Sequence, residues 1–413
     1  MTSRRSSSPN KTIVGLQWGD EGKGKVVDYL SGGFDGVARY NGGSNAGHTV
    51  VIGSTRYRFH LIPSGVLKRK KLFIGAGVAL DTEVLKEELR LLSDQGVEAD
   101  LLIDGRCSMV SPLEKQFDGF LESMRGTGAI GTTRMGIGPA YAARALRMSP
   151  RALDLFSRSF DMSHLPRFYR EVTGKRPSLE RWMRLSRRLL RGRLGDIGAS
   201  ITEINERGGA VLFEGAHGAL LDLQFGTYPF VTSSPTVASY APAGLGLPLA
   251  AGGSVMGVVK AYSTRVGAGP FPTEFQGQVA SRIREVGREY GVTTGRPRRI
   301  GWLDLVALKY AARLNGVTEL ALSKTDVLSK VKELRVCIAY RDGASESSDF
   351  YRYLGSIDRV KPVYQSVPSI YGAEFNRGVP SAVRKLVDLV ERQTRVPVRL
   401  LSYGEERKST VEL

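Results

Sequence analysis

Residues 11–30 read KTIVGLQWGDEGKGKVVDYL, and this stretch decides the fold. Lys11–Gln17 is a short apolar strand, Gly19-Asp20-Glu21-Gly22-Lys23-Gly24-Lys25 is a glycine-rich turn, and a helix follows through Leu30. Glycine tolerates positive φ and close backbone approach, so a turn of this kind aims several N–H groups at one anion at the start of a helix. The spacing therefore predicts a phosphate-binding loop. Val26 stands where such a loop usually carries the Ser or Thr hydroxyl that holds Mg²⁺. The metal must then find oxygen elsewhere, and Asp20 inside the loop is the obvious donor.

Outward from this unit the same alternation repeats. Apolar β-like runs at Leu72–Gly75, Ala210–Phe213, Val255–Lys260, Thr318–Leu322, Arg335–Tyr340 and Val396–Leu401 are separated by helical patterns. The clearest helices begin at the N-cap Asp81, with Leu85, Leu89 and Leu92 on one face, and span 303–315 and 381–393. This predicts an α/β, P-loop-like fold: a large, mostly parallel central sheet, flanking helices and elaborated insertions, with ligand loops at the carboxyl ends of its strands. Residues 1–11 read as a disordered basic tail and 12–413 as one domain, within which 141–208 is a basic helical insertion.

The chain of 413 residues carries a net charge of +18. Its location matters more than its size. The tail holds three cations and no acid, and 141–194 holds fourteen Lys and Arg against four acids, so most of the excess lies outside the glycine-rich motifs. A solvated helical face explains it, because Trp182, Leu185 and Leu189 share the opposite side from Arg181, Arg184, Arg188 and Arg191. No nucleic-acid-binding motif accompanies the cluster. Eighteen apolar residues never run together, which excludes a membrane-spanning helix. Two cysteines, Cys107 and Cys337, do not make a disulfide framework and suit a reducing cytoplasm.

The 49 glycines gather at motifs, among them GGSNAGH, GTTRMGIGP, GAHG, RVGAGPFP and TTG, each beside Thr, Ser, Asn, Lys or Arg. His48 sits among small and amide residues in Asn41–Thr49, where an imidazole can donate to a phosphoryl group in transfer. Asp20 and His48 together supply a base and an acid for phosphoryl chemistry.

The motifs QWGDEGKGK (17–25), GGSNAGHT (42–49), HLIPSG (60–65), IGTTRMGIGPAY (130–141), FEGAHGALLD (213–222), GTYPFVTSS (226–234), KAYSTRVGAGPFPTE (260–274), TTGRPRRIGWLD (293–304) and KTDVL (324–328) carry a resemblance. In this order, and across nearly the whole chain, they resemble the adenylosuccinate synthetase family. The resemblance implies GTP-dependent ligation of IMP and L-aspartate, with Mg²⁺, through a 6-phosphoryl-IMP intermediate. Asp20 matches the base that takes the N1 proton of IMP, and His48 and Lys23 match its catalytic companions. Asp20 and the carbonyl of Gly47 match the metal ligands.

For IMP the resemblance implies Asp20, Glu21, Gly22, Lys23, Asn45, Ala46, Gly47, His48, Thr133, His217, Thr232 and Arg296. Arg147 would reach IMP in the neighbouring subunit of a homodimer. For GTP it implies Gly19, Asp20, Glu21, Gly22, Lys23, Gly24, Lys25, Gly47, His48, Thr49, Arg298, Lys324, Thr325, Asp326, Ser402, Tyr403 and Gly404. The carboxylate of Asp326 can accept guanine N1–H and N2–H together. Aspartate falls to the loop Val292, Thr293, Thr294, Gly295, Arg296, Pro297 and Arg298, where guanidinium forks suit carboxylates.

Several positions depart from the family pattern. His217 replaces a glutamine and could charge near pH 6.5. Arg134-Met135 shifts a basic group by one position, Pro297 interrupts an arginine run, and Tyr403-Glu405 differ at the C-terminal turn. Two other readings stay open: a relative that ligates aspartate to GMP or dGMP, and a non-catalytic GTP-binding or polyanion-docking protein.

Overall fold

The computed structural model describes residues 8–159, 164–174, 178–291, 295–375 and 378–413. Ten strands form the central sheet, labelled here in chain order: β1 (Lys11–Gly15), β2 (Gly36–Arg39), β3 (Lys71–Ile74), β4 (Leu101–Asp104), β5 (Leu194–Gly195), β6 (Val211–Gly218), β7 (Ser254–Lys260), β8 (Glu319–Ser323), β9 (Val398–Ser402) and β10 (Thr410–Glu412). They lie in the order β10-β9-β8-β7-β1-β6-β2-β3-β4-β5. Every pair is parallel except β9 with β10. A strand covered on both faces should be apolar throughout, and β1 meets this with Ile13 and Val14 buried in different core clusters. The chain moves outward from β1 in both directions, so its carboxyl end is the switch point where ligands collect.

Asp81 caps the helix Thr82–Ser93 as expected, its carboxylate accepting from the Glu83 and Val84 N–H groups. The helix Ser381–Thr394 buries Val383, Leu386 and Val390. In the stretch 303–315, Leu303–Asp304 is a strand, and Asp304 caps the helix Leu305–Leu314 by accepting from the Ala307 N–H.

Three expectations are corrected. Arg335–Asp342 does not join the parallel sheet; it pairs with Leu303–Asp304, Ser345–Ser347 and Lys361–Ser366 in a separate sheet. Only the four-residue helix Thr325–Leu328 precedes it, too short to cover a parallel crossover. The stretch 141–208 is not purely helical, since it carries the edge strand β5 that pairs with β4. Of the tail 1–11, residues 1–7 lie outside the described residues, whereas Asn10 is buried, bonded to Asn205 and the Val211 N–H, and Lys11 opens β1.

Within the basic stretch, the helix Glu180–Leu190 buries Trp182, Ser186 and Leu190, while Arg181, Arg184, Arg188 and Arg191 face solvent. Trp182 donates its indole N–H to the Val110 carbonyl at 3.2 Å, which fixes this helix as core packing. No helix among the described residues is long and apolar enough to cross a membrane.

Candidate functional site

At the carboxyl end of β1 the backbone turns left-handed at Gly19, Asp20 and Gly22, and Gly22 caps the helix Lys23–Leu30. A non-glycine residue at positive φ is held there only when its surroundings over-determine it. Glu21 supplies that constraint from beneath. Its fully buried carboxylate accepts from the N–H groups of Gln17 (3.1 Å) and Gly19 (2.9 Å) and from the Lys23 ammonium at 2.6 Å. It leaves no room for larger neighbours, since a Cβ at Gly15 would lie 2.4 Å from it. The loop is thus braced with its outer face toward a cavity of about 1010 Å³.

Gly19, Asp20, Gly22, Lys23, Gly24 and Lys25 line this cavity, with Asn45, Ala46, Gly47, His48 and Thr49 beside them. Thr133, His217 and Thr232 contribute from other loops, and Gly295, Arg296 and Arg298 from the segment after 291. Lys324, Asp326, Ser402 and Gly404 complete one end of it. Asn45 donates to the Thr232 hydroxyl at 3.3 Å, which joins two of the expected nucleotide contacts.

His48 is anchored from below. Its Nδ1 bonds to the buried carboxylate of Glu214, which also accepts from the Ser64 hydroxyl (2.6 Å) and the Ser64 N–H (2.8 Å). Burial raises the pKa of Glu214, but the charge and hydrogen bond of His48, with Arg39 and Ser64, prevail and bring it to about 2. An ionised Glu214 accepts the Nδ1 proton and favours the imidazolium, in which Nε2, buried and without a partner among the described residues, carries a proton that can be donated to a ligand. Burial holds the imidazole below its ordinary value, with Glu214 opposing.

His217 sits at φ 62°, with a buried Nδ1 that has no partner among the described residues. Burial, followed by the charges of Lys23 and Arg39, pushes it down to about 3. The expectation that it charges near pH 6.5 is therefore corrected: it is a neutral imidazole.

At the other end of the cavity, Asp326 carries a buried Oδ1 without a partner among the described residues, and burial raises its pKa. An orphaned carboxylate oxygen inside a cavity calls for a donor from a ligand. Lys324, at φ 58°, extends to the Gly287 carbonyl (2.7 Å) and to Glu289 (2.6 Å). Arg298 lies between two carboxylates, pairing with Asp20 at 2.8 Å and with Glu289 at 2.6 Å.

Several expected contacts fall elsewhere. The Glu21 side chain is turned under the loop, not into the cavity. Thr325 is buried and donates to the Ser402 carbonyl at 3.3 Å. Tyr403 stacks on Phe375, with ring centroids 4.8 Å apart, and Pro297 is exposed. Neither of these two lines the cavity, and nor does the exposed Arg147. Lys25 lines it, but its ammonium donates to the Ser402 hydroxyl and to the Gly404 and Ser409 carbonyls at 2.7–2.8 Å, which leaves nothing for a phosphate. Burial lowers Lys25 to about 8, against the raising effect of Asp326, Glu406 and Glu405. Val292, Thr293 and Thr294 lie outside the described residues.

The sequence reading missed Glu214, Ser64 and Glu289. Glu214 lies inside a quoted motif, and a carboxylate in an otherwise apolar strand was the available signal. Among the described residues no group of three or more His, Cys, Asp or Glu side chains could hold a metal. A divalent cation here would depend on Asp20, a backbone carbonyl such as that of Gly47, and oxygens of the ligand.

The adenylosuccinate synthetase family profile matches residues 12–411. Adenylosuccinate synthetase from Moorella thermoacetica is 44% identical over 97% of this chain and 98% of its own length. That from Acetivibrio thermocellus is 41% identical over 97% and 99%. The chain belongs to the adenylosuccinate synthetase family. Its fold agrees with the fully ligated adenylosuccinate synthetase of Plasmodium falciparum: the TM-score is 0.88 at 33% identity, covering 98% of this chain and all of the other. A cyanophage S-2L succinoaminodeoxyadenylate synthetase shares the fold at a TM-score of 0.65 and 20% identity. As a member of the adenylosuccinate synthetase family, the chain is a GTP-dependent ligase of purine nucleotide synthesis.

Proposed function

We propose that the cavity at the end of β1 joins IMP to L-aspartate with GTP as phosphoryl donor, Asp20 acting as base and His48 as the group that stabilises the phosphoryl in transfer. The observation that carries this reading is that two differently equipped groups line one cavity: a carboxylate on the phosphate loop and an imidazole with one anchored nitrogen. Asp20 takes the N1 proton of IMP, and the 6-oxygen then attacks the γ-phosphorus of GTP. This forms the O–P bond of 6-phosphoryl-IMP and releases GDP. The aspartate amine adds at C6, phosphate leaves with the C–O bond pair, and the amine sheds a proton to give adenylosuccinate.

The donor set suits Mg²⁺, which keeps few protein ligands and takes phosphate oxygens readily. Asp20 and the Gly47 carbonyl would hold it, and it would neutralise charge on the phosphates. Lys23, whose ammonium pairs with Glu21, would add its charge behind the phosphate loop, and Asn45, Thr133, Thr232 and His217 would surround the IMP subsite. Asp326 accepts from guanine, and Arg296 and Arg298 serve aspartate and GTP. Arg147, exposed in one subunit, would complete the site of a second copy in a homodimer. The free buried thiols of Cys107 and Cys337 fit a reducing cytoplasm.

Purified protein with GTP, IMP, aspartate and Mg²⁺ should yield adenylosuccinate, while GMP or dGMP in place of IMP should not be consumed. Asp20→Asn should abolish product and leave GTP binding largely intact. Turnover with GMP or dGMP but not IMP would overturn the substrate, and normal turnover by Asp20→Asn would overturn the base.

A further inference from the structure

Glu289 is wholly buried, lies outside every motif read from the sequence, and binds three cations from three segments. One oxygen accepts from Lys324 at 2.6 Å, from Lys260 at 3.2 Å and from the Tyr262 hydroxyl; the other accepts from Arg298 at 2.6 Å. Lys260 ends β7, and Lys324 follows β8 directly. Arg298 stands at the foot of the loop, whose two stems are joined by the Arg298 N–H to the Glu289 carbonyl (2.9 Å) and the Gly291 N–H to the Arg296 carbonyl (2.8 Å).

A buried carboxylate could satisfy its charge with one partner. Three cations around it, with Asp20 pairing the far side of Arg298, leave the cluster net positive beside a cavity suited to phosphates. We propose that Glu289 is a positioning residue for the ligation: its carboxylate holds Arg298 of the loop and Lys324 of the Lys-Thr-Asp turn in one frame, so that one group sets both the loop and the guanine end. This rests on the reading above that Arg298 and Lys324 serve GTP and aspartate. Neutralising Glu289 removes the one partner that Arg298 and Lys324 share, leaving them only Asp20 and the Gly287 carbonyl, whereas the IMP contacts at Asn45, Thr133 and Thr232 do not touch it. The expected signature is selective.

The test is steady-state adenylosuccinate formation by Glu289→Gln, Glu289→Asp, Lys324→Met, Arg298→Leu and the double variant Glu289→Gln/Lys324→Met, with thermal unfolding and IMP binding measured alongside. Glu289→Gln should raise KM for GTP and for aspartate about tenfold or more, with KM for IMP within about twofold. The double variant should be no worse for GTP than the poorer single one, because both act through the same link. If Glu289→Gln does not fold, Glu289→Asp, which keeps the charge but shortens its reach, should show the same selective rise. A rise shared equally by all three substrates, or an unchanged KM for GTP, overturns the proposal. Normal GTP kinetics in both Lys324→Met and Arg298→Leu would instead overturn the assignment of those residues, and the proposal with it.

Discussion

His48 and His217 line the same cavity, and burial keeps both imidazoles toward their neutral forms, yet only His48 has a ring nitrogen fixed by a carboxylate. Orientation separates them. Losing the Glu214 charge should leave the His48 tautomer undirected, so Glu214→Gln should lower kcat by about 10²-fold or more, with KM for IMP much less affected. An unchanged kcat would refute the anchoring role. His217 makes a different prediction. Its pKa falls from 6.5 to about 3 on folding, so above pH 6.5 neither state holds the proton and there is no penalty. Between those values only the unfolded chain binds it, and the fold loses stability as pH falls. His217→Gln should therefore lose less stability than the parent between pH 7.5 and pH 5 in denaturant titrations; identical losses would count against the buried neutral imidazole.

Among the elements, the helix Lys23–Leu30 does more than open with a phosphate loop. From its first turn, Lys25 reaches across to the Ser402–Ser409 turn and ties β1's helix to the C-terminal end of the sheet. Lys25→Met would remove its three hydrogen bonds to this turn, while the Ser409 carbonyl keeps the Tyr403 N–H at 3.1 Å, and bonds from a charged donor are worth about 1.5–3 kcal/mol each. A lower thermal midpoint and a raised KM for GTP, with KM for IMP unchanged, are expected from melts and initial rates. Were Lys25 a phosphate ligand instead, kcat would collapse while the fold kept its stability. At this scale the sequence was informative wherever one signal dominated: Asp81 before Thr82–Ser93, or Val383, Leu386 and Val390 along Ser381–Thr394. It misled at Arg335–Asp342, because an apolar run is the same whether its neighbours are parallel or antiparallel.

For the whole molecule, the proposed homodimer is what completes the site. Arg147 is exposed and does not line its own cavity, so the proposed homodimer predicts complementation. Inactive Asp20→Asn and inactive Arg147→Leu subunits, mixed and allowed to exchange, should regain about a quarter of wild-type activity through hybrids carrying one intact site. Equilibrium sedimentation should show a dimer under assay conditions. No recovery from a mixture shown to exchange would place Arg147 outside the site. The +18 charge belongs to this scale as well. Its arginine face on Glu180–Leu190 is solvated, and the proposed function assigns ligands to only a few of the cations.

Sequence alone determined the α/β class, the phosphate loop after β1 and the family, because local order carries them: strand, glycine turn and helix leave their mark within twenty residues. It also singled out Asp20 and His48 from their immediate neighbours, and Asp326 through the order of the family motifs. Tertiary structure decided what those residues rest on. Glu21 beneath its loop, Glu214 behind His48, Lys25 on a turn 377 positions away and Glu289 among three cations are set by packing between distant segments. A buried charge must find its partners wherever the fold brings them, and sequence neighbours do not record that choice.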